Sequence, residues 1–222
     1  MDENESATKP SLPDRRNGMN DRLRVLAVSI AVGLVFLLGM PRPALSLYKG
    51  KEAEKEDVEG KPTQVKLHDR VLVDQDGRKV KFVSEVIGDR FVVIDTFFTT
   101  CFQICPILSA IFMDLQDLLG SRLGKDVVLV SLTVDPVTDI PPRLKEYAQT
   151  WNAKPGWSFL GGEKQTVDLV LTGLGLYSSD FTAHPAMFLV GDGKTGSWTR
   201  FYGFASPEQI LGEIDELAAA RE

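Results

Sequence analysis

Phe91-Val92-Val93-Ile94-Asp95-Thr96-Phe97-Phe98-Thr99-Thr100-Cys101-Phe102-Gln103-Ile104-Cys105-Pro106 is the stretch on which the fold turns. Its first half is a nearly continuous β-branched and aromatic run, the pattern of a central strand covered on both faces. The chain then turns through two cysteines into a helical pattern. Ile107, Leu108, Ile111, Phe112, Leu115, Leu118 and Leu119 recur at helical spacing, and Gly120 and Gly124 close the helix.

Upstream, Val71-Leu72-Val73 and Val80-Lys81-Phe82 flank Asp76-Gly77, the signature of a β-hairpin. Downstream, Val127 to Val134 reads as a second buried strand leading to Asp135-Pro136. Leu144, Tyr147, Ala148 and Trp151 then line one face of a helix, and residues 163–174 read as another, with a short strand between them. Ala186 to Val190 and Ser197 to Tyr202 predict an antiparallel pair joined by a turn rich in Gly and Asp. Ser206-Pro207-Glu208-Gln209 supplies an N-cap, a proline at the first helical position and a capping-box glutamine for a last helix. Alternating β and α elements closed by a hairpin predict an α/β sandwich with a mixed sheet.

The 222 residues allow one domain with appendages, and 43% hydrophobic residues exclude a disordered or collagen-like chain. A net charge of −6 argues against nucleic acid as a partner. Two cysteines are too few for a disulfide-stapled mini-protein.

The N-terminal quarter has a different character. Residues 1–24 are polar, and the uncharged run Val25–Met40 opens a segment, 25–46, of the length a spanning helix or signal-peptide core needs. Ala44-Leu45-Ser46 is a tolerable cleavage site. Arg15, Arg16, Arg22 and Arg24 precede the segment, and Arg42, Lys49, Lys51 and Lys55 follow it. Arg22 and Arg24 lie nearest the apolar run, which favours a cytoplasmic N-terminus. Asp2, Glu3 and Glu5 argue against a mitochondrial presequence. The expectation is a bacterial inner-membrane protein with its folded domain, residues 64–222, in the periplasm. Residues 47–63, dense in Lys, Glu and Asp, read as a solvated linker.

Chemistry concentrates on Cys101 and Cys105. They follow the carboxyl end of the central strand, where open α/β sheets bind ligands. One helical turn separates them, and the helix N-terminus favours a thiolate. Three roles remain open on these residues: a structural disulfide or inert thiols, thioredoxin-type redox catalysis, and a metal site. Two thiolates cannot complete a zinc tetrahedron but suit Cu(I). Of the two histidines, His68 reads as a surface residue. His184, ahead of Pro185 and the strand 186–190, is the candidate third ligand. In a thioredoxin-like sandwich that loop lies against the cysteines, and Pro185 is expected to be cis. Thr99-Thr100-Cys101 would also suit a thiol peroxidase, though the sequence places no arginine beside the thiol.

Residues from about Val65 to Ala220 resemble the Sco/SenC family. The resemblance rests on Phe98-Thr99 before Cys101-x-x-x-Cys105-Pro106, on Leu132-Thr133-Val134-Asp135-Pro136 with Asp139, Pro141, Leu144 and Tyr147, and on His184 ahead of Phe188-Leu189-Val190. It implies a thioredoxin-like fold and one copper ion, as Cu(I) or Cu(II), held by Cys101, Cys105 and His184. Asp135 would be an accessory acidic group shaping the site or its docking surface, or a turn residue before Pro136. The implied role is a chaperone delivering copper to the binuclear copper site of a cytochrome c oxidase subunit, with other copper carriers or thioredoxin-like reductases as further partners. The alternative is a thiol-disulfide oxidoreductase in which Cys101 attacks a partner disulfide and Cys105 resolves it. Many members carry Pro and an acidic residue after the first cysteine and Asp before the histidine, where this chain has Phe102-Gln103 and Ala183. Phe98, Phe102 and Ile104 would form an apolar rim for docking.

Overall fold

Strand β4, Phe91–Phe97, is buried along its whole length in the computed structural model, which describes residues 58–221. It pairs in parallel with β5 (Val127–Thr133), and β5 pairs in parallel with β6 (Trp157–Gly161). The helices α1 (Cys105–Leu119) and α2 (Pro141–Thr150) connect these strands in turn, as parallel pairing demands of a crossover. On its other side β4 pairs antiparallel with β7 (Met187–Asp192), which pairs with β8 (Trp198–Tyr202). The hairpin of β2 (Val71–Asp74) and β3 (Lys79–Lys81) joins β6 at the far edge. With β1 (Gly60–Thr63) at the near edge, the mixed sheet of the described residues has eight strands in the order β1-β8-β7-β4-β5-β6-β2-β3. Helices α3 (Lys164–Leu174) and α4 (Pro207–Ala219) complete the α/β fold.

Strand β1 (Gly60–Thr63) lies within the stretch read as a linker to residue 63. It pairs antiparallel with β8, Gly60 opposite Phe201. Its Lys61-Pro62 is edge-strand chemistry, because neither residue invites a further strand. A Cβ on Gly60 would come within 2.7 Å of the Phe201 ring, so a bare backbone lets the strand close on β8. The tail 1–24, the apolar segment 25–46 and the linker to residue 57 lie outside the described residues. Among the described residues no helix is long and apolar enough to cross a membrane.

The core clarifies α1. Its buried residues are Cys105, Leu108, Ser109, Phe112, Leu115, Gln116 and Leu119, whereas Ile107 and Leu118 face solvent. Cys105 therefore opens the inward stripe of the helix, packed with the residues that hold α1 to the sheet. Gly120, at φ 52°, ends the helix in a backbone region that β-carbons disfavour.

The last helix begins as its sequence predicts. Ser206 Oγ accepts the Gln209 N–H at 3.2 Å and Gln209 Oε1 accepts the Ser206 N–H at 2.8 Å, a complete capping box. Ser206→Ala should destabilise the domain by about 1 kcal/mol. Urea unfolding at neutral pH checks this, and an unchanged midpoint would show that Pro207 and packing alone start α4.

Candidate metal and thiol site

The site is built where β4 stops. Phe97 is the last strand residue, and the turn Phe98–Cys101 is closed by the Cys101 N–H donating to the Phe98 carbonyl at 3.1 Å. The turn is pinned by Asp139, which is 1% exposed in the loop before α2. Thr99 donates its backbone N–H to both Asp139 oxygens at 3.2 Å and its hydroxyl to Oδ1 at 2.5 Å, and the Thr133 hydroxyl donates to Oδ2 at 2.5 Å. Burial pushes the Asp139 carboxyl up, with the hydrogen bonds from Thr133 and Thr99 pulling the other way.

Asp139 thus does what the sequence suggested for its neighbour. The Asp135 carboxylate accepts the Thr138 N–H at 3.3 Å, and its own N–H donates to Thr133 Oγ1 at 3.0 Å. Asp135 shapes the turn that presents Asp139 to Thr99.

The two thiols differ in character. Cys101 is half-buried, and its Sγ accepts the Cys105 N–H at 3.4 Å at the first turn of α1. Pro106 follows, at a helix position where a missing N–H is harmless. Burial pushes the Cys101 thiol up. Hydrogen bonds from the Cys105 thiol and from the amides of Cys105, Gln103 and Ile104 outweigh it and hold the thiol below its ordinary range. Cys105 is fully buried, and burial pushes its thiol strongly up, helped by the Cys101 sulfur and the charge of Asp95.

His184 completes the group. The 3-10 turn Phe181–Ala183 delivers it in an extended conformation, φ −64° and ψ 134°, as the following proline requires. No peptide among the described residues is cis, so the His184–Pro185 bond is trans and the expected cis proline is absent. The extended residue between the 3-10 turn and β7 suffices to aim the ring. Its Nε2 lies 3.6 Å from Cys105 Sγ, and Nδ1 lies 3.3 Å from Thr96 Oγ1. The ring is 4% exposed, and burial holds its pKa below the ordinary histidine value, which leaves it neutral at pH 7. With its proton on Nδ1 toward Thr96, Nε2 turns a lone pair to the thiol, the arrangement of a metal-ligating imidazole.

The Cys101–Cys105 turn and the distant His184 loop thus lie together, and their two sulfurs and one imidazole are donors of the soft sulfur and nitrogen types that suit copper. They are not clamped into a finished cage. Among the described residues no three His, Cys, Asp or Glu side chains already converge on an ion position. Cys101 and His184 line a pocket of about 260 Å³ with Phe98, Phe102 and Thr182.

His68 is half-buried rather than superficial, packed where a Cβ on Gly173 would touch its ring. Of the expected apolar rim, Phe102 is 89% exposed, while Phe98 is buried edge-on to Phe181 and His184 and Ile104 packs on the core. The fold also puts an arginine in the groove that Cys101 lines. Arg143 of α2 lines a groove of about 450 Å³ shared with Cys101, Phe102, Glu146 and Trp151. Sequence reasoning passed over Asp95, although an acid inside an apolar strand was its signal. Both Asp95 oxygens are buried without a hydrogen-bond partner, and burial raises the carboxyl to about 7, against a partial pull back from Ser131.

An α/β sandwich with a dithiol at the start of its first helix and an imidazole before a late strand defines a thioredoxin-like fold. The chain belongs to the SCO1/SenC family, whose profile matches residues 58–219. It is 32% identical over 106 residues to the SCO1 protein homolog of Bacillus subtilis, a match covering 47% of this chain and 53% of that protein. The match therefore spans about half the length of that relative. The structure of BsSco, described as a member of the Sco family of cytochrome c oxidase assembly proteins with a disulfide switch, superposes with a TM-score of 0.59 at 23% identity, over 71% of this chain and 96% of that one. Arabidopsis thaliana ScoI with copper bound superposes with a TM-score of 0.57 at 20% identity, over 72% and 98%.

Two predictions follow from the titrating groups. Iodoacetamide at pH 7 should label Cys101 well before Cys105, read by peptide mass mapping, and equal labelling would contradict the asymmetry. For Asp95 the native carboxyl titrates at about 7 and the unfolded one near 3.9. The native state therefore binds more protons between those values, and stability falls as pH rises through that window, by on the order of 4 kcal/mol in full. Asp95→Asn should remove this loss, giving a higher urea midpoint than the unsubstituted chain at pH 8 and little difference at pH 4.

Proposed function

We propose that this chain is a copper chaperone that carries one copper ion on Cys101, Cys105 and His184 and delivers it to the binuclear copper site of a cytochrome c oxidase subunit. The contact of Cys105 Sγ with a neutral, buried His184 Nε2 at 3.6 Å carries this reading. A structural dithiol has no use for an imidazole aimed at its buried sulfur, whereas a metal ion does. Copper is cargo here. Loading Cu(I) onto the neutral dithiol releases the two thiol protons and leaves two thiolates and an imidazole on the metal. The half-buried, acidified Cys101 is the entry ligand, and the buried Cys105 and His184 are the anchors. The open donor set favours release by ligand exchange, in which a partner's sulfur replaces Cys101 first.

Family membership supports the reading, as do the relatives described as copper-bound or as oxidase assembly proteins. The apolar segment 25–46 supports a chain tethered to a bacterial inner membrane, or released from it by cleavage, with this domain on the periplasmic side. Phe102, exposed beside Cys101, is the apolar contact offered to a partner.

The thiol asymmetry favours one second reading, a thiol-disulfide oxidoreductase. The Cys101 thiolate would attack a partner disulfide to form a mixed disulfide, expelling one partner thiolate. Cys105 would then displace the second, leaving a Cys101–Cys105 disulfide and a reduced partner. That chemistry needs both cysteines but not His184.

Anaerobic titration of the reduced chain with Cu(I) against a competing chelator separates the two. Chaperone function predicts one-to-one binding, weakened at least about tenfold by His184→Ala, since even outer-shell partners are worth that much. His68→Ala should leave it unchanged. Weak binding indifferent to His184 would transfer the function to the oxidoreductase.

A further inference from the structure

The groove of about 450 Å³ between the cysteine turn and α2 has a composition that copper carriage leaves unexplained. Its size falls within the roughly 300–1,000 Å³ of small-molecule sites. One wall is the turn that carries Cys101 and the exposed ring of Phe102. The other is a stripe along and just past α2, where Arg143, Glu146, Tyr147 and Trp151 fall on one face at i, i+3, i+4 and i+8. The aromatic part of that stripe is held firmly. The Tyr147 ring stacks on Phe97 with centroids 4.9 Å apart, its oxygen lies 3.1 Å from Ser109 Oγ, and the Trp151 ring lies against it at 6.2 Å.

The charges on the stripe are its unusual part. Arg143 and Glu146 are opposite in sign and one helical turn apart, near enough to pair. Yet no ion pair or hydrogen bond joins either side chain to the other or to any other described residue. By contrast Lys145, on the other flank of α2, pairs with Asp76 at 3.2 Å. A free guanidinium and a free carboxylate over an aromatic floor match a ligand that carries a carboxylate and an ammonium a few bonds apart, which is the head group of an α-amino acid. An uncharged peptide segment would leave both charges unmet. Cys101, on the facing wall, adds a second demand, because the group that meets a copper-loading sulfur on equal terms is another thiol.

We propose that this groove binds a low-molecular-weight thiol with an α-amino-acid head group, free cysteine or a γ-glutamyl thiol peptide such as glutathione, and takes Cu(I) from it. The proposal rests on the copper reading above and deepens it by naming the class of donor. Arg143 holds the carboxylate through its fork of N–H donors, and Glu146 accepts from the ammonium. Tyr147 and Trp151 supply the floor, Phe102 shields the groove from water, and the donor's sulfur is left to meet Cys101. Transfer is ligand exchange. The bond from copper to the donor's sulfur breaks, a bond to Cys101 Sγ forms, and the Cys101 proton leaves on the freed donor thiol. The Cys105 proton goes to solvent as Cys105 and His184 close on the metal. Copper stays Cu(I) throughout, so no oxidant or reductant is consumed.

The test reads the site first without copper. S-methylcysteine and S-methylglutathione keep the charged head group and block the thiol. Added to the copper-free full chain, they should shift the backbone amide NMR signals of the Cys101 turn and of α2, and the tighter of the two identifies the donor. Arg143→Ala and Glu146→Ala should each weaken that binding about tenfold, the worth of one hydrogen-bonded charge. Lys145→Ala should leave it unchanged, and S-methyl-N-acetylcysteine amide, which lacks both charges, should shift nothing. Stopped-flow loading gives the second readout. The reduced chain should take up Cu(I) faster from its cysteine or glutathione complex than from its N-acetylcysteine amide complex, and Arg143→Ala should abolish that preference. No amide shifts, equal shifts with the uncharged amide, or a loading preference that survives in Arg143→Ala would each overturn the proposal while leaving copper carriage intact. Failure of the chain to bind copper one-to-one would overturn the copper reading and the transfer step with it.

Discussion

The approach of a buried, neutral His184 to the buried thiol of Cys105 is the contact on which the site depends. The two atoms lie 3.6 Å apart yet come from residues 79 positions apart in the chain. Holding them there requires α1 to lie flat on the sheet, with Cys105 opening its inward stripe. It also requires β7 to pair with β4, so that the loop before β7 ends over the first turn of α1. Thr96, on β4 itself, holds the other ring nitrogen. One strand thus positions the imidazole through a hydroxyl and the thiols through the turn that follows.

That shared strand explains the division of labour between the cysteines. Cys101 sits in the turn, where amides of the first helical turn stabilise its thiolate, and Cys105 sits one turn in, where packing removes water. Helix geometry forces this inequality on any pair so spaced at an inward-facing helix start. A half-buried sulfur of lowered proton affinity beside a buried one of raised proton affinity is useful to a metal carrier and to a disulfide reductase alike. The imidazole distinguishes the two functions.

The buried acids have separate duties. Asp139 is saturated by Thr99 and Thr133 and acts as a rivet between the cysteine turn and the loop entering α2. Asp95 is unsatisfied, and its charge acts at a distance through a medium that screens poorly. Local spacing could not separate these roles. Asp135 stands in the conspicuous Asp-Pro motif, whereas Asp139 stands four residues on in a less telling context, and only the fold of the loop decides which carboxylate reaches Thr99.

The sequence by itself determined the order of strands and helices, the mixed α/β architecture, the placing of both thiols at the start of the first helix and the capping box of the last. These follow from periodicity and from residues that act on their near neighbours, such as Pro207, Ser206 and the apolar run of β4. Only the tertiary structure decided that β1 emerges from the charged linker to cap the sheet at β8. It alone set the trans bond at Pro185, the groove that Cys101 shares with Arg143, the partner of Thr99 and the missing partner of Asp95. Each of these depends on burial or on contacts between distant segments. The free energy of a charge, a thiol or an imidazole is set by what surrounds it in space, which a linear pattern of residues does not contain.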